Sequence, residues 1–196
     1  MRIQHLLALA IAAGGTLQAQ AIELNEQFAL AITPGLYSDY RNSGISQTLG
    51  DPAAQLDLML SHASGLYAGV WTSNVDFGYD WENDDRFGTR QEVDYYLGYY
   101  WQITDAISLD TYYNHYTFPG ESQFNGSDIY LTLEAYGFFV GGKHSHDTDD
   151  SAFTQYAGYR TQLPLEIGLE LRWENVDYKD GVLSLIHISE PTRPRL

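Results

Sequence analysis

The chain has 196 residues, no cysteine and a formal net charge of −16. That length suits one domain of ordinary size. The absence of cysteine excludes a disulfide framework, a thiol nucleophile and a thiolate metal site, and the acidic balance makes nucleic acid a poor partner, because little here neutralises phosphates. Sixteen Tyr, eight Phe and 18 Gly, with 44% apolar residues, match twisted strands and tight turns rather than a disordered chain.

The first 21 residues have the pattern of a secretory signal peptide. Arg2 and His5 open it, Leu6 to Ala13 is a short apolar run, and Ala19-Gln20-Ala21 supplies a small-x-small cleavage site. The apolar run is too short to span a bilayer as a helix. Export is therefore expected, with the mature chain starting at Ile22.

From there on, the apolar period is two, not 3.6. The spacing predicts strands over residues 28–37, 55–62, 66–77, 92–102, 107–115, 127–135, 136–146, 152–161 and 165–174. Pro34 predicts an edge position or a bulge in the first. In the last, Leu165, Ile167, Leu169, Leu171 and Trp173 alternate with Glu166, Gly168, Glu170, Arg172 and Glu174. The connections alternate too: short turns at 63–65, 104–105 and 162–164, and longer polar loops at 78–90, 119–126 and 147–151. No window holds 18 consecutive apolar residues, so no transmembrane helix is expected.

Residues 183–193 (LSLIHISEPTR) resemble the in-frame translation of a transposon-end adapter used in short-read sequencing libraries. The expected layout is a signal peptide over 1–21, a barrel over 22–182 lacking its last strand or strands, and adapter-derived sequence over 183–196.

Strands of bilayer-spanning length, short turns on one side and long loops on the other predict an all-β fold, an antiparallel transmembrane β-barrel. About nine strands are visible, and ten to twelve are expected in the intact protein. A soluble antiparallel sandwich also alternates. The membrane is favoured by acids along most of each polar face, which a sealed apolar core would not accept. Aromatic residues near strand ends (Tyr67, Trp71, Phe77, Trp101, Trp173) read as interface girdles.

Three ordered blocks carry a family resemblance. They are Ser38-Asp39-Tyr40-Arg41 with Gly44-Ile45-Ser46-Gln47-Thr48, then Ser64 to Trp71 with Ser73-Asn74-Val75-Asp76-Phe77, then Glu92 to Tyr99. Together they resemble the TorF family of proteobacterial porin-like proteins. At Asn42 and Ser43 the chain departs from the family, which often has an aromatic and then a basic residue there. The resemblance implies an outer-membrane barrel and solute passage, and makes Ser38, Asp39, Tyr40, Arg41, Gly44, Ser46, Gln47, Asn74, Asp76 and Glu92 its signature.

The polar strand faces offer Asp57, Asp94, Asp110, Glu134, Glu166, Glu170 and Glu174 as pore-lining candidates, with Arg172 the one base among them. Carboxylates in a narrow lumen concentrate cations and exclude anions. His144 and His146 share a strand face and are weak transition-metal candidates; a solvated loop is the plainer reading. The same holds for the acidic loop Asp80, Glu82, Asp84 and Asp85, which lacks the Gly and final Glu of an EF-hand. No G-x-S-x-G element or other nucleophile elbow occurs, so no enzyme is expected, and no cofactor is implied. The expected function is passive passage of small hydrophilic solutes, cations preferred, through the outer membrane of a Gram-negative cell. Its partners are membrane lipid and the solutes, with room for a homo-oligomer. Two alternatives stand: a plugged, non-conducting barrel with a structural or loop-binding role, and a soluble periplasmic lipocalin-like binder.

Overall fold

The computed structural model describes residues 20–146, 152–163, 167–178 and 181–189. Chain order begins with β1 (Gln20–Glu23), β2 (Phe28–Tyr37), β3 (Arg41–Asn42) and β4 (Ile45–Ser46). β5 (Ala53–His62), β6 (Leu66–Asn74), β7 (Tyr79–Asp80) and β8 (Asp85–Arg86) follow. β9 (Gln91–Thr104), β10 (Ile107–Thr117), β11 (Gly126–Ala135) and β12 (Phe138–His146) form the centre, then β13 (Ala152–Leu163), β14 (Ile167–Tyr178) and β15 (Gly181–Ser189). The fold is all-β. Eleven strands form one sheet in the order β1-β2-β5-β6-β9-β10-β11-β12-β13-β14-β15, every pairing antiparallel. The pairs β3–β4 and β7–β8 are separate two-stranded hairpins inserted in the loops. Among the described residues no ladder joins β1 to β15.

All nine expected strands form, and the sheet gains one more at each end. β1 begins at Gln20, inside the expected signal segment. β15 includes Leu183 to Ser189 of the adapter-like stretch and pairs with β14 from Gly181↔Tyr178 to Ser189↔Glu170. Backbone ladders need only an extended chain beside an open edge, which β14 offers to these residues. Residues 1–19 and 190–196 lie outside the described set. Pro34 sits at an edge, as expected: β1 reaches only as far as Ile32, and the β2–β5 register runs through Pro34↔Leu56 without a bulge. The strand expected from 136 starts two residues later. Tyr136 and Gly137 both have positive φ (54° and 82°), the signature of a two-residue type I′ hairpin turn.

The two faces of the sheet differ in the opposite sense to a soluble domain. One face is buried and polar: Asp57 is 4% exposed and Asp94 3%, beside Gln55, Glu92, Asn114, Thr132, Glu170 and Glu174. The other is exposed and apolar, with Leu58, Leu60, Val70, Ile129, Leu131, Leu133, Val140 and Leu171 outward and Leu97 60% exposed. Burial of one face without a second layer requires the sheet to bend round it. The Ser43 hydroxyl donates to Glu174 Oε2 at 3.1 Å, although β2 and β14 are eight strand spacings apart in the sheet order. At about 4.8 Å per spacing, a flat sheet would separate them by roughly 38 Å. The six residues from Tyr37 to Ser43 reach at most about 20 Å. The sheet is therefore strongly curled.

Parity corrects one expectation. Tyr67 and Trp71 are not girdle residues; they are buried on the polar face with Met59 and Tyr96, because exposed Leu66 sets the phase of β6. Phe77 lies beyond the strand, in an aromatic cluster of the loops. Inward aromatic rings lie flat over inward glycines on the paired strand. Tyr67 covers its register partner Gly98, Tyr96 covers Gly69, Tyr156 covers Gly141 and Phe139 covers Gly158. A Cβ at any of these glycines would collide with the ring. Gly98→Val is accordingly expected to displace Tyr67 and lower stability by about 1–3 kcal/mol. A denaturant midpoint for the folded chain equal to that of the native sequence would refute this packing.

Candidate functional site

The concave face divides into two walls. On the first, β5 to β11, Asp57, Asp94, Asp110 and Asp128 accept from tyrosine hydroxyls or an asparagine amide. Tyr96 crosses Gly69 and donates to Asp57 Oδ1 at 2.6 Å. Tyr67 crosses Gly98 and donates to Asp110 Oδ1 at 2.7 Å. Asn114 Nδ2 donates to Asp94 Oδ2 at 2.8 Å, and Tyr130 donates to Asp128 Oδ2 at 3.0 Å. The Tyr96 and Tyr67 rings each reach over one strand to a carboxylate on the next. The glycines make room for the rings, and the hydroxyls satisfy buried acids without neutralising their charge.

On the second wall, β11 to β14, the acids alternate with guanidinium groups. Arg160 Nη1 stands 3.1 Å from Glu134 Oε2, and its Nη2 3.3 Å from Glu170 Oε2. Arg172 Nε stands 2.6 Å from Glu174 Oε1 and its Nη1 3.8 Å from Glu170 Oε1. Both guanidiniums rest on aromatic faces: Arg160 lies 4.4 Å from the Phe139 centroid and Arg172 4.1 Å from that of Tyr156. Arg172 is thus not the one base of the polar face. Arg160 joins it, as does Lys143, 3.8 Å from Asp128. The parity of β12 and β13 carried this signal: Lys143 is in phase with buried Phe139, and Arg160 with buried Tyr156. The structure therefore groups Asp57, Asp94, Asp110, Glu134, Glu170, Arg172 and Glu174 on one curled face; Glu166 lies outside the described residues. Glu92 and Asp128 are further acids on that face.

The signature residues gather around Asp39 in the loop between β2 and β5. Its Oδ1 accepts from Ser46 Oγ at 2.6 Å and lies 3.0 Å from Thr48 Oγ1. Arg41 Nε stands 2.7 Å from Oδ2. Burial, the largest single influence, works to raise the Asp39 pKa. The hydrogen bonds from Ser46 and Thr48 and the charge of Arg41 outweigh it and hold the carboxyl below its ordinary 3.8. Arg41 Nη1 also donates to the Gly44 carbonyl at 2.9 Å, and the Tyr40 N–H to Thr48 Oγ1 at 3.2 Å. The Gln47 N–H donates to the Tyr40 carbonyl and the Asp76 N–H to the Gln47 carbonyl. Tyr40 meets Trp71 edge-on, centroids 5.4 Å apart. Asn74 pins the same end, accepting from the Ala54 N–H at 2.7 Å and donating to the Pro52 carbonyl at 3.1 Å. Glu92 is remote from this hub, buried on the β9 face, its backbone carbonyl accepting from Thr72. Ser38 opens the loop, directly after β2.

Two further loops pack at this end. Phe77, Phe87, Phe118 and Phe124 contact one another edge to face, and Glu121 Oε1 accepts from the Gly88 N–H at 2.5 Å. Asp76 is held below the usual carboxylate range by the Gly78 N–H first, against burial, and then by Arg86 and Arg90. The acids of the 79–86 hairpin serve the hairpin itself: Asp80 accepts from the Glu82 and Asn83 N–H groups, and Asp84 from the Tyr79 hydroxyl. His144 and His146 are exposed on the outward face of β12, ring centroids 6.4 Å apart. Among the described residues no group of three His, Cys, Asp or Glu is arranged to hold a metal ion. Asp147, Asp149 and Asp150 lie outside them.

Residues 22–179 match a family described as bacterial protein of unknown function (Gcw_chp). Neither the curated proteins nor the solved structures contain a match.

Because the Asp39 carboxyl has a lowered pKa in the folded chain, its stabilising contribution is complete above 3.8 and is lost as pH falls through the folded value. Acidification from about pH 5 to about pH 2.5 is expected to loosen the hub and change Trp71 emission through Tyr40. Asp39→Asn should produce that change at neutral pH and remove the acid transition. Emission identical in native and variant chains across this range would refute the role of Asp39.

Proposed function

The chain belongs to the Gcw_chp family, and within it we propose that this protein is an outer-membrane β-barrel whose polar interior passes small hydrophilic solutes, cations in preference to anions. The observation that carries the reading is the reversed distribution of polarity on a strongly curled antiparallel sheet. Carboxylates and guanidiniums are buried inside, while aliphatic residues stand exposed outside. In water such an apolar belt is an aggregation surface; in lipid it is the matching face. A soluble lipocalin-like binder would show the reverse, a polar exterior round an apolar cavity.

Further support comes from the strands of the main sheet from β5 to β12, which run 9 to 14 residues, the length that spans a bilayer when tilted. Exposed aromatic residues lie toward strand ends at Phe28, Trp101, Phe138 and Phe153, as interface anchors do. The signal-peptide pattern and the resemblance to the TorF family agree with export to the outer membrane. The passage mechanism is passive: interior width sets the size limit, and the acids of the first wall set the charge preference. On the second wall the guanidiniums offset much of the carboxylate charge.

One observation favours the second reading, a plugged barrel. Asp57, Asp94, Tyr67, Tyr96 and Trp71 are all under 9% exposed, so the first wall is closely packed and any path is narrow. Reversal potential under a KCl gradient in a planar bilayer separates the two. Discrete steps with a cation-selective potential are expected, and Asp94→Asn should reduce the selectivity. Inserted, heat-modifiable protein that never conducts would establish the plugged barrel, and a mature chain soluble without detergent would sink both.

A further inference from the structure

Building on the pore reading, we propose that the β3–β4 hairpin is the constriction of the interior, with Ser43 at its tip as the residue that sets the limiting width. Two anchors carry this. Tyr40 packs on Trp71 of β6, and Ser43 donates to Glu174 of β14. Six strand spacings separate β6 from β14 in the sheet order, about 29 Å along a flat sheet. The backbone joining the two anchors is three residues long and reaches at most about 11 Å. The hairpin thus bridges opposite walls of the curled face.

The hairpin is built to hold that position. Arg41↔Ser46 and Asn42↔Ile45 pair, and Ser43 and Gly44 at the turn both have positive φ (47° and 79°), the two-residue type I′ geometry. The Asp39 hub fixes its base through Arg41 and Ser46. The tip residue is small and carries a hydroxyl donor. Glu174 accepts from it on Oε2 while Arg172 occupies Oε1. The tip therefore docks on a carboxylate whose two oxygens are both engaged, and a solute must pass beside the hairpin.

The chain has no cysteine, so Ser43→Cys with Glu174→Cys introduces the only two thiols. The Glu side chain is too long for a direct disulfide to replace this contact; a short bis-methanethiosulfonate reagent is the appropriate link. In the folded, membrane-inserted full chain the pair is expected to cross-link, giving a mobility shift that dithiothreitol reverses. Replacing residues 41–46 with a short glycine link is expected to raise single-channel conductance roughly two-fold or more, because the narrowest section dominates the resistance. Should that variant fail to insert, Ser43→Lys, which leaves the Asp39 hub intact, should lower conductance and reduce cation preference. Absence of the cross-link in a chain that conducts overturns the constriction and leaves the pore standing. Conductance unaltered by both changes at the hairpin does the same. A cross-linked chain that never conducts, with or without its hairpin, overturns the pore reading and the constriction together.

Discussion

A buried carboxylate must be partnered where it stands, and in a single curled sheet most partners come from the same face. Leaving such a group unpaired costs several kcal/mol, so the placement of every inward side chain is coupled to its neighbours two strands away. Glycine is the device that makes this work. Gly69 and Gly98 leave floor space on which Tyr96 and Tyr67 lie, and the rings carry hydroxyls to Asp57 and Asp110. On the other wall the same need is met by guanidiniums stacked on Phe139 and Tyr156. The two solutions differ in consequence: tyrosine leaves the carboxylate charge intact, whereas arginine cancels it. Tyrosine donors thus serve Asp57 and Asp110, and guanidiniums serve Glu134, Glu170 and Glu174.

The loop end follows from the same coupling. Each long connection lies at one end of the sheet, since strands run in alternate directions and short turns close the other. The first three of those loops are held by polar hubs and by a phenylalanine cluster. Asp39 organises the first loop by accepting from side chains on both sides of the β3–β4 hairpin, which holds the hairpin rigid enough for its tip to meet β14. The second and third loops share the four phenylalanines. Loops packed this way present a fixed arrangement over the interior, and the hairpin extends that arrangement into it.

Much of the strand pattern was legible in advance because a period of two is local. Residues such as Leu169-Glu170-Leu171-Arg172-Trp173-Glu174 state both faces outright. Aromatic-rich stretches are less clear, because Tyr and Trp suit either face. Tyr67 and Trp71 were read as outward for that reason, and only the phase set by Leu66 and the ring-over-glycine pairing turns them inward. The Tyr136-Gly137 turn escaped notice since tyrosine is an unusual occupant of a left-handed position. Arg160 and Lys143 are harder to place because the two glycines of β12 and the glycine and threonines of β13 blur the alternation.

By itself the sequence determined the all-β class, the antiparallel meander, the polarity of most strand faces and the residues that make up the acidic wall, since each depends on neighbours one or two positions apart. The tertiary structure decided which carboxylates accept from tyrosine and which meet arginine, and that Ser43 reaches Glu174. Those contacts join strands up to 131 positions apart in the chain. Sheet curvature, not local spacing, brings them together, and curvature is a sum of twists over eleven strands that no short window contains.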